Sequence, residues 1–136
     1  MTIRAATAAD LEEIAAIQGA SPQAAHWAPA DHLNYDCLVA VVAGRVHGFL
    51  TARETAPGER EILNLAVAPE QRRRGIARGL LQDELARARG SWYLEVRESN
   101  IAALGLYISA GFEISGRRKE YYNDPTETGV VMRFFS

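Results

Sequence analysis

Glu70-Gln71-Arg72-Arg73-Arg74-Gly75-Ile76-Ala77-Arg78-Gly79-Leu80 stands where one hydrophobic period gives way to another. Upstream, Ile62 to Val67 reads as a strand that Pro69 ends. Downstream, Ile76, Leu80, Leu81, Leu85 and Ala88 recur at helical spacing and predict a helix from Gly75 to Arg89. The order is therefore strand, loop, helix. Orphan N–H groups at a helix start, with the positive end of its dipole, attract anions, and Gly75 lets the backbone come close to one. Arg72, Arg73, Arg74 and Arg78 add positive charge. The turn suits a phosphate, although a solvated basic turn opening a surface helix explains the arginines alone equally well. No Gly-Lys-Ser/Thr closes the loop and the full dinucleotide glycine pattern is missing, which argues against nucleoside triphosphate and nicotinamide binding.

A chain of 136 residues, 48% of them hydrophobic, predicts one globular domain over residues 1–136. With 15 basic and 17 acidic residues the net charge is −2, so no global field favours nucleic acid, and the basic character is confined to residues 72–78 and 117–119. Cys37 is the single cysteine, which leaves no internal disulfide. No apolar run reaches membrane-spanning length and Thr2 to Asp10 lacks a signal-peptide pattern. These features predict a cytoplasmic protein with no membrane partner.

Strands and helices alternate along the chain. Thr2 to Ala6 reads as a strand, and Thr7-Ala8-Ala9-Asp10 has capping-box form ahead of a helix with Leu11, Ile14, Ala15 and Ile17 on one face, ending near Gly19. Residues 20–35 read as a loop with one helical turn around Ala30 to Tyr35. Cys37 to Ala43 and Arg45 to Arg53 form a hairpin at Gly44, and Ala56-Pro57-Gly58 leads into Arg60 to Val67, a series that predicts antiparallel pairing. Ser91 to Arg97 is a further strand, Asn100 to Ala110 a helix stopped by Gly111, and that crossover fits a parallel neighbour. Phe112 to Tyr122 and Thr128 to Phe135 complete the strands around Asn123-Asp124-Pro125. The expected fold is α/β (α+β), a mixed, mostly antiparallel sheet of six to seven strands with helices on both faces.

A second constellation runs from Tyr93-Leu94-Glu95-Val96-Arg97-Glu98-Ser99-Asn100 to Leu106-Tyr107-Ile108-Ser109-Ala110-Gly111-Phe112. Together with Asn64-Leu65-Ala66-Val67 and Arg72-Arg73-Arg74-Gly75-Ile76-Ala77, it resembles the acetyl-CoA-dependent GCN5-related N-acetyltransferase (GNAT) family, whose Gln/Arg-x-x-Gly-x-Gly/Ala signature the arginine turn matches. Within that family the likeness is to the ribosomal-protein-alanine N-acetyltransferases of the RimI type, and residues 60–123 carry most of it. The resemblance implies acetyl transfer from acetyl-CoA, as co-substrate and without a metal, to a primary amine by direct attack in a ternary complex. It implies a protein N-terminal α-amine as acceptor; a monomer or homodimer is expected.

By the same resemblance, Glu95 is the base and Tyr107 the acid that protonates the CoA sulfur. Leu65, Ala66 and Val67 form a backbone ladder for the pantetheine arm, with an N–H near Val67 polarising the thioester. Asn100 bonds the cofactor, and the amides of Arg73, Arg74, Gly75, Ile76, Ala77 and Arg78 cradle its pyrophosphate. An α-amine has a pKa of about 8, so a carboxylate can assist its deprotonation. Read without the family, Glu95 is the polar partner of an alternating strand, Tyr107 packs near the helix face of Ile101, Leu104 and Ile108, and Ser99 or Asn100 caps that helix. Glu61 is the reserve base by the resemblance or an ordinary edge carboxylate, Tyr121 and Tyr122 border an acceptor groove by the resemblance although alternating strand packing explains one of them equally well, and Trp27 either walls that groove or covers the core. His26, His32, His47 and Cys37 have no tight metal-ligand spacing. Residues 20–35 look short relative to the RimI pattern, which leaves open a small-amine acceptor such as a polyamine or aminoglycoside, and a CoA-binding module without turnover is a further alternative.

Overall fold

The computed structural model describes residues 1–22, 27–123 and 125–136. Its elements are β1 (Thr2–Ala5), α1 (Leu11–Gly19), β2 (Asp36–Val42), β3 (Arg45–Ala56), β4 (Glu59–Val67), α2 (Ile76–Ala86), β5 (Ser91–Arg97), α3 (Ile101–Ser109), β6 (Glu113–Tyr122) and β7 (Glu127–Phe135). Short 3-10 turns lie at Ala8–Asp10, Pro29–Asn34 and Pro69–Gln71.

All seven strands form one sheet in the order β1-β2-β3-β4-β5-β7-β6, mixed and mostly antiparallel. β2, β3 and β4 make a meander, turned by Ala43-Gly44 and by Pro57-Gly58. The parallel pair is β4 with β5, connected through α2. The α3 crossover differs from expectation, because β7 inserts between β5 and β6 and bonds antiparallel to both, so β6 runs in the direction of β5 one strand away. A hairpin between consecutive strands closes with a short turn, and β6–β7 takes that route.

Period-two alternation sorts the sheet's side chains between two cores. One face joins Leu38, Leu50, Trp92, Leu94, Val96 and Met132 to Ile76, Leu80 and Leu81 of α2 and Tyr107 of α3. The other joins Val39, Phe49 and Ala66 to Ile14 and Ile17 of α1. Helices therefore lie on both faces, but α1 covers only the β2–β4 half of its face. Among the described residues no helix covers that face of β5–β7, where Tyr93, Glu95, Arg97 and Val131 remain half-buried.

Two helical expectations shift. α2 stops at Ala86, where the Arg87 N–H turns back to the Glu84 carbonyl, because the exposed Arg87, Ala88 and Arg89 have nothing to pack on. α3 buries Tyr107 and partly Ala103, Leu104 and Leu106, leaving Ile101 72% and Ile108 55% exposed. That helix is apolar on nearly all sides, so spacing alone does not identify the packed face. At its end Gly111, in the left-handed region, and Phe112 return their N–H groups to the carbonyls of Ile108 and Tyr107, a Schellman closure.

Candidate active site

β4 and β5 pair only at Glu59↔Ser91, Arg60↔Trp92 and Glu61↔Tyr93, then diverge, although β4 continues to Val67 and β5 to Arg97. A register shift between Thr51 and Ala52, where Leu63 is the extra residue of β4, lies where the strands part. Ala68 donates its N–H to the His47 carbonyl on the β3 side at 2.8 Å. Because backbone groups alternate along a strand, Ala66 also faces β3, and the N–H groups of Leu65 and Val67 turn into the gap.

The arginine turn closes the same end of the gap. Arg73 (φ 66°) and Gly75 (φ 79°) are both left-handed, which makes the concave run of N–H groups that receives anions. The first helical bond runs from Gly79 to the Gly75 carbonyl, so the amides of Ile76, Ala77 and Arg78 have no partner within α2. Open space surrounds Gly75, and Arg72, Arg73, Arg74 and Arg78 are all exposed. The turn and the two strand amides fit a long, phosphorylated, amide-bearing cofactor.

Across the gap, alternation in β5 sends Trp92, Leu94 and Val96 into the core and Glu95 to the uncovered face. Glu95 Oε1 stands 3.6 Å from Arg118 Nε, while Oε2 is buried with no hydrogen-bond partner. Burial pushes the Glu95 carboxyl above the usual carboxylate range, Glu61 adds to that rise, and Arg118 opposes it. Glu61 itself is held by Arg53, whose Nε and Nη2 reach Oε1 at 3.0 and 2.7 Å. Of the two carboxylates, Glu95 is the one with a buried oxygen that has no partner.

Tyr107 enters from α3, buried and edge-on to Phe112 at 5.6 Å. Burial, and then the neighbouring Tyr122, drive its phenol pKa well up. Tyr122, pushed up to about 12 by burial and then Glu95, is thus an electrostatic neighbour of both Tyr107 and Glu95. It packs edge-on against Tyr121, centroids 5.1 Å apart. Arg97 lies 4.6 Å over the Tyr122 ring and donates to the carbonyls of Asn123 and Pro125, which fixes the β6–β7 turn. The expected turn centre, Asp124, lies outside the described residues.

Asn100 caps α3, its Oδ1 accepting the Ala103 N–H at 3.2 Å, while its Nδ2 is left for a ligand. Trp27 stacks on His32 (4.9 Å) and touches Tyr35 (5.4 Å), which lies in the field of Arg53. His32 is fully buried, its Nδ1 2.9 Å from Thr51 Oγ1 and its Nε2 2.9 Å from Gln18 Oε1. Gln18 gives its amide N–H to the Trp27 carbonyl, so its oxygen faces the ring and the neutral imidazole carries its proton on Nε2. This network ties residues 27–35 to the sheet. His26 lies outside the described residues, and among the described ones no three His, Cys, Asp or Glu side chains gather as metal ligands would.

Arg118, Arg97 and Gly129 are site residues that sequence reasoning missed. Gly129 interrupts the apolar run of β7, and a glycine inside a strand marks close backbone approach. Arg118 belongs to the basic cluster 117–119, whose direction only strand register determines.

Residues 7–112 match the Acetyltransferase (GNAT) family. The chain is 45% identical over 80 residues to the N-alpha-acetyltransferase RimI of Mycobacterium tuberculosis, a match covering 58% of this chain and 51% of that protein. It is 41% identical over 80 residues to the [ribosomal protein bS18]-alanine N-acetyltransferase of Escherichia coli, covering 54% of each. The matched stretch thus spans about half the length of these curated relatives. The crystal structure of the ribosomal-protein-S18-alanine N-acetyltransferase from Escherichia coli superposes with a TM-score of 0.84 at 29% identity, covering 98% of this chain and 92% of that one.

Proposed function

Because the chain belongs to the GNAT acetyltransferase family, we propose that it transfers an acetyl group from acetyl-CoA to the α-amine of a protein N-terminus, in a ternary complex in the cytoplasm. The observation that carries this reading is Glu95 Oε2, a buried carboxylate oxygen without a partner, on the uncovered face beside the β4–β5 gap. The relatives named for acetylating a ribosomal-protein alanine support the acceptor class.

The N–H groups of Leu65 and Val67 would hold the pantetheine arm, with Ala66 holding β4 onto β3 behind them. The amides from Arg73 to Arg78 would receive the pyrophosphate, aided by the side chains of Arg72, Arg73, Arg74 and Arg78, and Asn100 would offer its Nδ2. Acetyl-CoA supplies an acyl group on a good leaving thiolate. Glu95 takes one proton from the acceptor ammonium, which frees its lone pair. The Val67 N–H stabilises charge gathering on the thioester oxygen. As the N–C bond forms and the C–S bond breaks, Tyr107 hands its proton to sulfur and regains one from the nitrogen. Its raised pKa keeps the phenol protonated, as an acid must be. The reaction releases the one proton left on Glu95.

Purified protein, acetyl-CoA and an Ala-initiated peptide should release free CoA and acetylated peptide. Glu95→Gln and Tyr107→Phe should each lower kcat by about 10²-fold or more. Preference for polyamines or aminoglycosides in a parallel panel would replace the acceptor. CoA binding by calorimetry with no acceptor in either panel would favour a module without turnover.

A further inference from the structure

Arg118 of β6 is in register with Gly129 of β7, and Glu95 of β5 with Val131, so Arg118 projects from the sheet edge onto the face that carries Glu95. Its Nε lies 3.6 Å from Oε1, longer than the roughly 2.7–2.9 Å of a tight charge-assisted bond, and its side chain is 60% exposed. The guanidinium also lies 5.1 Å over the Tyr121 ring, a contact that guides it without fixing it. The two oxygens of Glu95 are therefore unequal. Oε1 faces a cation, whereas Oε2 is unpartnered and walled by Gly129, Tyr121 and Tyr122.

We propose that Arg118 is a positioning residue for the proton transfer: its guanidinium beside Oε1 keeps the Glu95 carboxylate in its proton-accepting form on the face the acceptor amine approaches. The proposal rests on the reading of Glu95 as the base. Among the described residues, the groups that face that carboxylate come from four strands. β4 contributes Glu61, which with burial favours the protonated form and so disarms the base. β7 contributes Gly129 and Val131, neither of which carries charge. β6 contributes Tyr121, Tyr122 and Arg118, and Arg118 is the group that opposes protonation. On β5 itself Tyr93 and Arg97 share the face, with Arg97 committed to the β6–β7 turn. When the acceptor ammonium transfers its proton to Glu95, the carboxyl becomes neutral and the ion pair to Arg118 relaxes. The exposed, loosely held guanidinium can then move over Tyr121 until the proton leaves to water.

The test is the titration of Glu95 in the full-length protein by carboxyl ¹³C NMR, its resonance identified by absence from Glu95→Gln. Arg118→Met should raise the Glu95 midpoint by about half to one pH unit, and Arg118→Lys should restore most of it. In turnover with an Ala-initiated peptide the acid limb of kcat/KM should move to higher pH by the same amount. On the high-pH plateau kcat should fall no more than about threefold, since the base itself remains. An unchanged Glu95 midpoint in folded Arg118→Met overturns the proposal, as does a shifted midpoint with an unmoved acid limb. The NMR titration needs no acceptor, so failure to find any turnover would sink the acetyltransferase reading while leaving the role of Arg118 to be judged by the resonance.

Discussion

Gly129 and Glu95 occupy one another's space: a Cβ at position 129 would stand 2.7 Å from Glu95 Oε2. The same Cβ would meet Tyr121 Cδ2 at 3.2 Å and Tyr122 Cε2 at 3.3 Å. The missing side chain in β7 is what lets carboxylate and tyrosines converge. Since Oε2 is the end of a flexible side chain, Gly129→Ala should cost less than about 1 kcal/mol of stability. It should nevertheless displace the base, and misplacement on the ångström scale lowers turnover by about tenfold to a hundredfold. Parallel urea unfolding and CoA-release assays check both halves, and CoA affinity should not move.

Gly75→Ala probes the other side of the gap. With nothing within 4 Å of the added methyl, the cost is backbone strain at φ 79°, roughly 1–2 kcal/mol. If the variant relaxes that strain, the concave run of amides opens. Calorimetry should show CoA binding weakened by about tenfold or more, with kcat at saturating acetyl-CoA much less changed.

Glu84 is 1% exposed and accepts from Arg60 Nε at 3.0 Å and Trp92 Nε1 at 3.2 Å. Glu84→Ala would leave the largely buried Arg60 with only the exposed Asp36 as counter-ion and the indole N–H unpaired. Removing one partner of a buried pair costs about 3–5 kcal/mol. Chemical denaturation should therefore show Glu84→Ala as a severe stability variant, with residual folded protein still binding CoA.

Asp10, buried and bonded through both oxygens to Arg4, is held down to about 2. The hydrogen bond to Arg4 is the largest cause, and the Thr7 N–H adds to it. A carboxyl whose folded pKa lies below its unfolded value contributes stability that is complete above about pH 4 and lost as pH falls toward 2. The gain is on the order of 1 kcal/mol, since Arg4 is partly solvent-screened. The difference in unfolding midpoint between wild type and Asp10→Asn should shrink steadily across that window.

Local signals carried the architecture. Alternation in Trp92-Tyr93-Leu94-Glu95-Val96 set Glu95 opposite the core, Gly111 ended α3, and Thr7 to Asp10 marked the entry to α1, its Asp10 carboxylate accepting the Thr7 N–H. Properties that arise between strands were not legible. The insertion of β7 between β5 and β6 depends on competition among partners far apart in sequence, and the contact of Arg118 with Glu95 depends on a register interrupted by two shifts. For Asn100 the sequence offered cap and ligand together. The structure commits its oxygen to the cap and leaves the nitrogen free.

The three-pair ladder between β4 and β5 joins a half-sheet of β1–β4 to one of β5–β7. A ligand bonded to the β4 amides that turn into the gap would supply the rungs the protein omits, and so would belong to its secondary structure while bound. Its binding energy would then also be folding energy, growing as RT ln(1 + [L]/Kd) with ligand concentration. The cell's supply of the cofactor would be written into how long each copy of the chain survives proteolysis, independently of how many acetyl groups that copy moves.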